Sequence, residues 1–278
     1  MNIHFYGTGA SEGVPALFCE CENCRTIRKL GGKNYRMRTS VQIDRDVLID
    51  FSMDSYAQTL FRGLDLTAIN HLLITHSHED HYCPTELLRI KPPMAFYDRE
   101  RVLHVYGNKR VNEKLQELKE RYGEEQKGME KYLTMQTLLP FEAFDMGEYR
   151  VTPLPANHDR REDCFIYVIE HEGKTLLYGH DSAMFGEETW QGLKAFSFDC
   201  VVLDCTMVER INVFKEHMGF PDNIKIRERM LREGMACEDT LFVATHFVHT
   251  FNPIHERITP IFREHGFVAA YDGLDIEF

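Results

Sequence analysis

Three imidazoles and an aspartate fall within six residues in His76-Ser77-His78-Glu79-Asp80-His81, just after the apolar run Leu72-Leu73-Ile74. A short apolar run of this kind reads as a buried strand. Alternate side chains of an extended segment share a face, so His76 and His78 project together. A turn after His78 lets Asp80 and His81 face a second point close to the first. Imidazole and carboxylate suit Zn, Mn or Fe, and two such groups side by side describe a two-metal site. The alternative is a polar loop that happens to contain histidines. Four candidate ligands in six positions, immediately after an apolar strand, argue against it.

A second set of donors is soft. Cys19-Glu20-Cys21-Glu22-Asn23-Cys24 gathers three thiols, and structural zinc prefers Cys-rich tetrahedral sites. A Cys21–Cys24 redox pair and scattered free thiols are the alternatives. The redox pair leaves Cys19 unexplained and lacks a thioredoxin-like context. Spacing alone cannot select a fourth ligand from fourteen histidines.

The elements that must position these groups follow from pattern. Ile3 to Tyr6 reads as a first strand, followed by a tight turn at Gly7-Thr8-Gly9. The third glycine, Gly13, comes one position too late for a dinucleotide fingerprint. Arg25, Arg28, Lys29, Lys33, Arg36 and Arg38 read as a solvated basic segment. Ser40 to Ile43 and Val47 to Ile49 form a hairpin that ends on Asp50, on its own a turn residue. A helix over Met53 to Phe61 leads to the histidine run, and Pro84 with Glu86 resembles the first turn of another helix. Val102 to Tyr106 reads as a strand and Lys109 to Arg121 as an exposed helix, while Gly123 to Met146 reads as a cap or outer face.

Four later strands end on candidate groups. Tyr149 onward arrives at His158, which in isolation would be a capped or surface residue. Lys174 to Tyr178, paired with Cys164 to Ile169, leads to His180 and Asp181; an acid there could equally be a helix N-cap, and His180 is not expected as a ligand. Val201 to Thr206 is another buried strand, with His217 on a loop before a helix that begins near Asp222. Leu241 to Thr245 ends in His246, and His249 follows where one turn would aim it elsewhere. An amphipathic helix over Pro253 to His265 and short C-terminal strands complete a chain without repeats or linkers, so residues 1–278 read as one domain with a Cys-rich segment around 15–38.

Composition bounds the function. At 278 residues, 43% hydrophobic and 27% charged, the chain is ordinary for a globular protein. No apolar run approaches the roughly 20 residues of a membrane span. Met1-Asn2-Ile3-His4-Phe5 lacks a signal-peptide pattern, which points to the cytoplasm and to eight cysteines that are free or metal-bound. A net charge of −12 argues against a dedicated nucleic-acid binder. It leaves room for a small anionic substrate held locally by arginines and metals, and a homodimer is compatible with it.

His76 to His81 fits His-x-His-x-Asp-His, the signature of the metallo-β-lactamase superfamily. The resemblance implies an α/β fold, an αββα sandwich of two mixed β-sheets with helices on the outer faces and metals at one edge. It implies that His76, His78 and His158 hold one divalent ion, that Asp80, His81 and His246 hold a second, and that Asp181 bridges them. Asp50 is then the acid that orients a ligand histidine. Together with the cysteine cluster after Phe18, Pro153-Leu154-Pro155, Asp204-Cys205, Thr245-His246 with His249, and Asp272-Gly273, the chain resembles the PhnP-type phosphodiesterases of phosphonate breakdown by the carbon–phosphorus lyase pathway. That branch implies a structural zinc on Cys19, Cys21, Cys24 and His249, catalytic Mn or Zn, and action on cyclic phosphodiesters such as a phosphoribosyl cyclic phosphate. Two departures border the pocket: the stretch from His81 to His158 is longer than in compact members, and the flanks of His217 differ. A likeness to the PqqB-like proteins, which share a cysteine cluster, is weaker, because here the dimetal ligand set is complete.

The expected chemistry is attack on phosphorus by a hydroxide shared between the two ions, with His217 as candidate general acid and an exposed loop histidine as its alternative. The rivals are an RNA-processing nuclease, a lactonase or thioesterase of the same superfamily, and, outside enzymology, a zinc-stabilised scaffold.

Overall fold

Strand length and turn chemistry lay out two seven-stranded sheets in the computed structural model, which describes residues 1–278. The first contains β1 (Asn2–Gly7), β2 (Ser40–Ile43), β3 (Val47–Ile49), β4 (His71–Leu73), β5 (Leu103–Gly107) and β6 (Leu133–Thr137). The second contains β7 (Phe144–Met146), β8 (Tyr149–Pro155), β9 (Phe165–His171), β10 (Lys174–Gly179), β11 (Cys200–Asp204), β12 (Leu241–Thr245) and β13 (Phe267–Ala269). The last strand, β14 (Leu274–Glu277), returns to the first sheet, giving the order β14-β1-β2-β3-β4-β5-β6 against β13-β12-β11-β10-β9-β8-β7. Both sheets are mixed: β3 to β6 run parallel, as do β10 to β13, and the hairpin strands are antiparallel.

Three apolar layers hold the sheets. Between them, Ile3, Phe5 and Val41 meet Val151, Ile169 and Val202. Outside the first sheet, Leu48, Leu72 and Val105 pack on Val111 and Leu115 of α3 (Lys109–Tyr122). Outside the second, Leu177, Val201 and Leu203 cluster with Trp190 of α4 (Glu187–Leu193), Ile226 and Met230 of α5 (Phe220–Arg232), and Ile258 and Phe262 of α6 (His255–Glu264). Alternation of side chains across each strand makes this possible, because one strand serves the central layer and an outer layer at once. The result is the αββα sandwich. No helix is long and apolar enough to cross a membrane.

Caps fix the helices near the functional edge. The side chain of Asn108 accepts the Val111 N–H and starts α3. Asp222 accepts the Gly219 N–H at 3.3 Å, with Pro221 in the first turn of α5. Cys21 caps α1 (Glu22–Leu30), its sulfur accepting the Cys24 N–H at 3.4 Å. The remaining helix, α2 (Ser55–Arg62), follows Asp50.

Three expectations need correction. Pro84 and Glu86 open a single 3-10 turn, Glu86–Arg89, rather than an α-helix. The 123–146 stretch contributes β6 and β7, each an edge strand; paired on one side only, such strands tolerate polar residues and lose the alternation that marks a buried strand. Arg36 is not solvated: it is 2% exposed, donates to Thr8 and Ala270, and lies 4.4 Å from the centroid of the Phe247 ring.

Candidate metal centre

The carboxyl ends of several strands meet at one edge of the sandwich. Asp50 follows β3, His76 follows β4, Asp181 follows β10 and His246 follows β12. Asp50, Asp181 and His246 have positive φ angles of 64°, 48° and 64°. A left-handed backbone costs a residue other than glycine of order 1–3 kcal/mol, and here it turns each strand end so that its side chain enters the edge. Glu162 fixes the turn between His76 and His78 by accepting the N–H of Ser77 at 3.0 Å and its hydroxyl at 2.7 Å.

Two groups of donors match the expected pair, and a third, Asp181, Asp204, His217 and His246, overlaps them. The ligand atoms of His76, His78 and His158 lie within 4.8 Å of one another, as do those of Asp80, His81, Asp181 and His246. Asp181 touches both groups. Its oxygens lie 3.4 Å from His76 Nε2 and 3.4 Å from His158 Nδ1 on one side, and 2.9 Å from His81 Nε2 and 3.8 Å from His246 Nδ1 on the other.

These residues fit divalent cations. His81 Nδ1 is held by Asp50 at 2.7 Å, His76 Nδ1 by Thr75 Oγ1 at 3.1 Å, and His246 Nδ1 by Thr206 Oγ1 at 2.8 Å. Anchoring Nδ1 sets the tautomer and leaves Nε2 to coordinate. In all three rings Nε2 is buried without a hydrogen-bond partner, and so is Oδ1 of Asp181. A bare nitrogen lone pair 2.9 Å from a carboxylate oxygen is repulsive unless a positive charge lies between them. Without metal that charge is a proton. Burial opposes charge on His81, but Asp80, Asp50 and Asp181 outweigh it and push its pKa well above the ordinary value. In the same way His246 rises to about 9 against its burial, chiefly through Asp181 and Asp204. Burial opposes ionisation of Asp181 and Asp80, yet the neighbouring imidazoles hold both well below the usual carboxylate range. His76 is pushed down by burial and by His81, so it presents a neutral ring.

His217 faces this centre. Its Nδ1 lies 3.0 Å from Asp181 Oδ1 and 3.0 Å from Asp204 Oδ2, and these acids overcome its burial to raise its pKa to about 11. Asp204 is a site residue that sequence reasoning missed as a separate group. It accepts the N–H groups of Thr206 at 2.8 Å and Met218 at 3.1 Å, and so ties the His217 segment to the end of β11. Its signal was available, since it is an acid closing a buried strand, as Asp50 and Asp181 do. Asp159, 3.0 Å from His78 Nε2 and gripped by Arg161 at 2.6 Å, was also missed; adjacency to His158 was its only mark. His180 lies behind the centre with Nε2 3.0 Å from Thr39 Oγ1.

The cysteines form a separate centre. Cys19, Cys21, Cys24 and His249 bring their ligand atoms within 4.8 Å, with His249 Nδ1 3.7 Å from Cys21 Sγ and 3.3 Å from Cys24 Sγ. Three thiols and an imidazole match a closed tetrahedral zinc site. Despite some burial, the Cys24 N–H and His249 draw the Cys21 thiol down to about 6, while burial sends Cys24 to about 11. Asn23 donates to the His249 carbonyl at 3.0 Å, so the helix that carries Cys24 and is capped by Cys21 also holds the histidine turn.

The metal centre opens into a cavity of about 310 Å³ whose wall includes Glu12, Phe214, His217 and Glu216. A second space of about 580 Å³ shares His78 and His158 and is lined by Arg160, Arg161 and Lys215.

An αββα sandwich with histidines and aspartates converging on one edge defines a hydrolase of the metallo-β-lactamase superfamily. Residues 45–247 match the beta-lactamase superfamily domain, and the chain belongs to that family. Solved structures share the fold. A diphosphatase from the PhnP family has a TM-score of 0.75 at 23% identity, covering 100% of this chain and 97% of its own. Zn²⁺-bound PqqB from Methylobacterium extorquens gives 0.68 at 18%, covering 100% of both chains. Human tRNase Z, short form, gives 0.67 at 17%, covering 100% and 99%. A 110-residue stretch is also 36% identical to part of an octanoyltransferase from Porphyromonas gingivalis; the match covers 37% of this chain and only 21% of that protein's length.

Proposed function

We propose that the protein is a dinuclear metal-dependent phosphodiesterase acting on small anionic phosphodiesters, cyclic ones such as a phosphoribosyl cyclic phosphate in particular. The observation that carries this reading is Asp181, within 3.8 Å of histidines from both donor groups and facing the bare Nε2 atoms of His76 and His81, a pairing that calls for positive charge between them. His76, His78 and His158 would hold one ion, Asp80, His81 and His246 the other, and Asp181 both. Bound Mn or Zn ions supply a water-derived nucleophile at neutral pH and neutralise the charge developing on a phosphoryl group. The chain's own residues do the rest. Asp50, Thr75 and Thr206 fix the orientation of three imidazoles. Arg160 and Lys215, beside the centre, draw an anion towards it in a protein of net charge −12. His217 has both carboxylate contacts at Nδ1 and no hydrogen-bond partner at Nε2, the arrangement of a general acid able to protonate a leaving alkoxide. Were Asp181 to be engaged by metal, Asp204, 3.0 Å from His217 Nδ1, would remain to hold that proton.

A second reading, hydrolysis of an acyl ester or thioester, is favoured by the segment shared with an octanoyltransferase, because the same nucleophile attacks carbonyl carbon. The acidic surface argues against RNA as substrate, and a scaffold has no use for an acid placed between two donor groups. The deciding experiment compares manganese-loaded protein on a cyclic phosphodiester, bis-p-nitrophenyl phosphate, a lactone and an octanoyl thioester. Turnover of the phosphodiesters well above the acyl substrates supports the proposal; the reverse order replaces it with the acyl reading.

A further inference from the structure

We propose that the cavity beneath residues 84–101 is a second binding site, for a medium-chain monocarboxylate. The cavity, about 270 Å³, lies on the outer face of the first sheet and shares no lining residue with the cavity of the metal centre. Leu48, Leu72 and Leu103 form its floor, with Ile90, Phe96 and Tyr97 opposite. Protein interiors are packed with few voids larger than a water, and a roomy apolar space suits an apolar guest better than water, which needs two to four polar partners.

One charged group of the wall, Arg101, makes no salt bridge; its guanidinium lies 5.3 Å from the centroid of the Tyr97 ring, and Asp65 is its nearby acid. Arg101 spends Nη1 on the Leu66 carbonyl at 3.0 Å and Nη2 on the Ile69 carbonyl, and its buried Nε–H has no acceptor. The other polar groups of the wall are already satisfied: Arg89 pairs with Glu86 at 3.0 Å, and Thr67 is bonded to Asp65. A buried donor on a guanidinium lacks its full stabilisation until an anionic oxygen meets it. The complementary ligand therefore carries one carboxylate for Arg101 and an apolar tail for the leucine floor. Ligand pockets for drug-sized molecules run from roughly 300 to 1,000 Å³, so this smaller space suits a medium-length tail better than a long one. An amine would meet Arg101 with the wrong sign, and an alcohol would forgo the charge.

The test is calorimetric titration of the full-length, metal-loaded protein with butanoate, hexanoate, octanoate, hexadecanoate, octylamine and 1-octanol. Octanoate should bind saturably at one site. Affinity should rise roughly three- to four-fold for each methylene between butanoate and octanoate, as expected from apolar burial, and fall for hexadecanoate. R101Q should weaken octanoate at least ten-fold, and A95W, which places an indole at the rim, should abolish binding. Neither residue belongs to the metal centre, so both variants should keep the wild-type hydrolytic rate, which also reports that they are folded. Absence of saturable octanoate binding, equal binding of 1-octanol, or unchanged octanoate affinity in the two folded variants would overturn the proposal.

Discussion

His81 Nδ1 lies 2.7 Å from Asp50 Oδ2, and both side chains are fully buried. That contact leaves Nε2 as the nitrogen of His81 that faces Asp181, at 2.9 Å, and is free for the proposed metal. Asp50 also accepts the N–H and hydroxyl of Thr75 at 2.9 Å each, so one carboxylate steers the ring of His81 and the backbone just before His76. Asp50→Asn keeps an acceptor but removes the charge. It should lower metal affinity or activity by about 10–100-fold, the usual penalty for losing such an orienting partner. Competition with a chelator measures this; wild-type affinity in the variant would detach Asp50 from the site.

His217→Ala separates the proposed proton donor from the proposed metal ligands. It should retain both catalytic ions, yet lose about 10²–10⁴-fold on an alkyl or sugar phosphodiester, the usual contribution of general acid catalysis. On p-nitrophenyl esters, whose leaving group needs little protonation, the loss should be much smaller. Equal losses on both substrates would make His217 a positioning group.

His76, His158, Asp181 and His246 are legible in the sequence because each stands just beyond an apolar run, where a strand delivers its side chain to the sheet edge. What crosses between distant segments is legible only through the family resemblance. His249 meets Cys24 across 225 residues of chain, and no spacing rule joins them. Asp204 reads as an ordinary strand end until the His217 segment is seen folded over it. Arg36 reads as solvated from its basic neighbours, since the Phe247 face that covers it arrives from β12. β6 and β7 escape because edge strands need only one apolar side.

Cys21→Ser tests the soft centre. Cys21 both caps α1 and belongs to the Cys19, Cys24 and His249 group, so the variant should lose zinc and thermal stability. Turnover by the folded, manganese-loaded variant should change much less. Unchanged zinc content, read by elemental analysis, would remove the assignment.

At the proposed dinuclear centre, protons and metal should compete. His246 at about 9 and His217 at about 11 lie above the unfolded imidazole value of about 6.5. In metal-free protein their protons therefore contribute stability that is complete below about pH 6.5 and is lost as pH rises through about 9 and then 11. Chelated protein should melt at a lower temperature at pH 9 than at pH 6.5, while loaded protein should not. Manganese affinity should climb over the same range, because binding releases protons. Affinity independent of pH between 6 and 9 would contradict this charge balance.

The central claim is that two ions spanned by Asp181 act together on a phosphodiester. Its most direct test is turnover of a cyclic phosphodiester while metal-free protein, with its zinc retained on the cysteines, is titrated with manganese. The account predicts activity that emerges only as two further ions bind per chain, and an Asp181→Ala variant that binds them weakly and stays inactive. Full activity with a single ion, wild-type binding of both ions by that variant, or no phosphodiester turnover at any loading would contradict it.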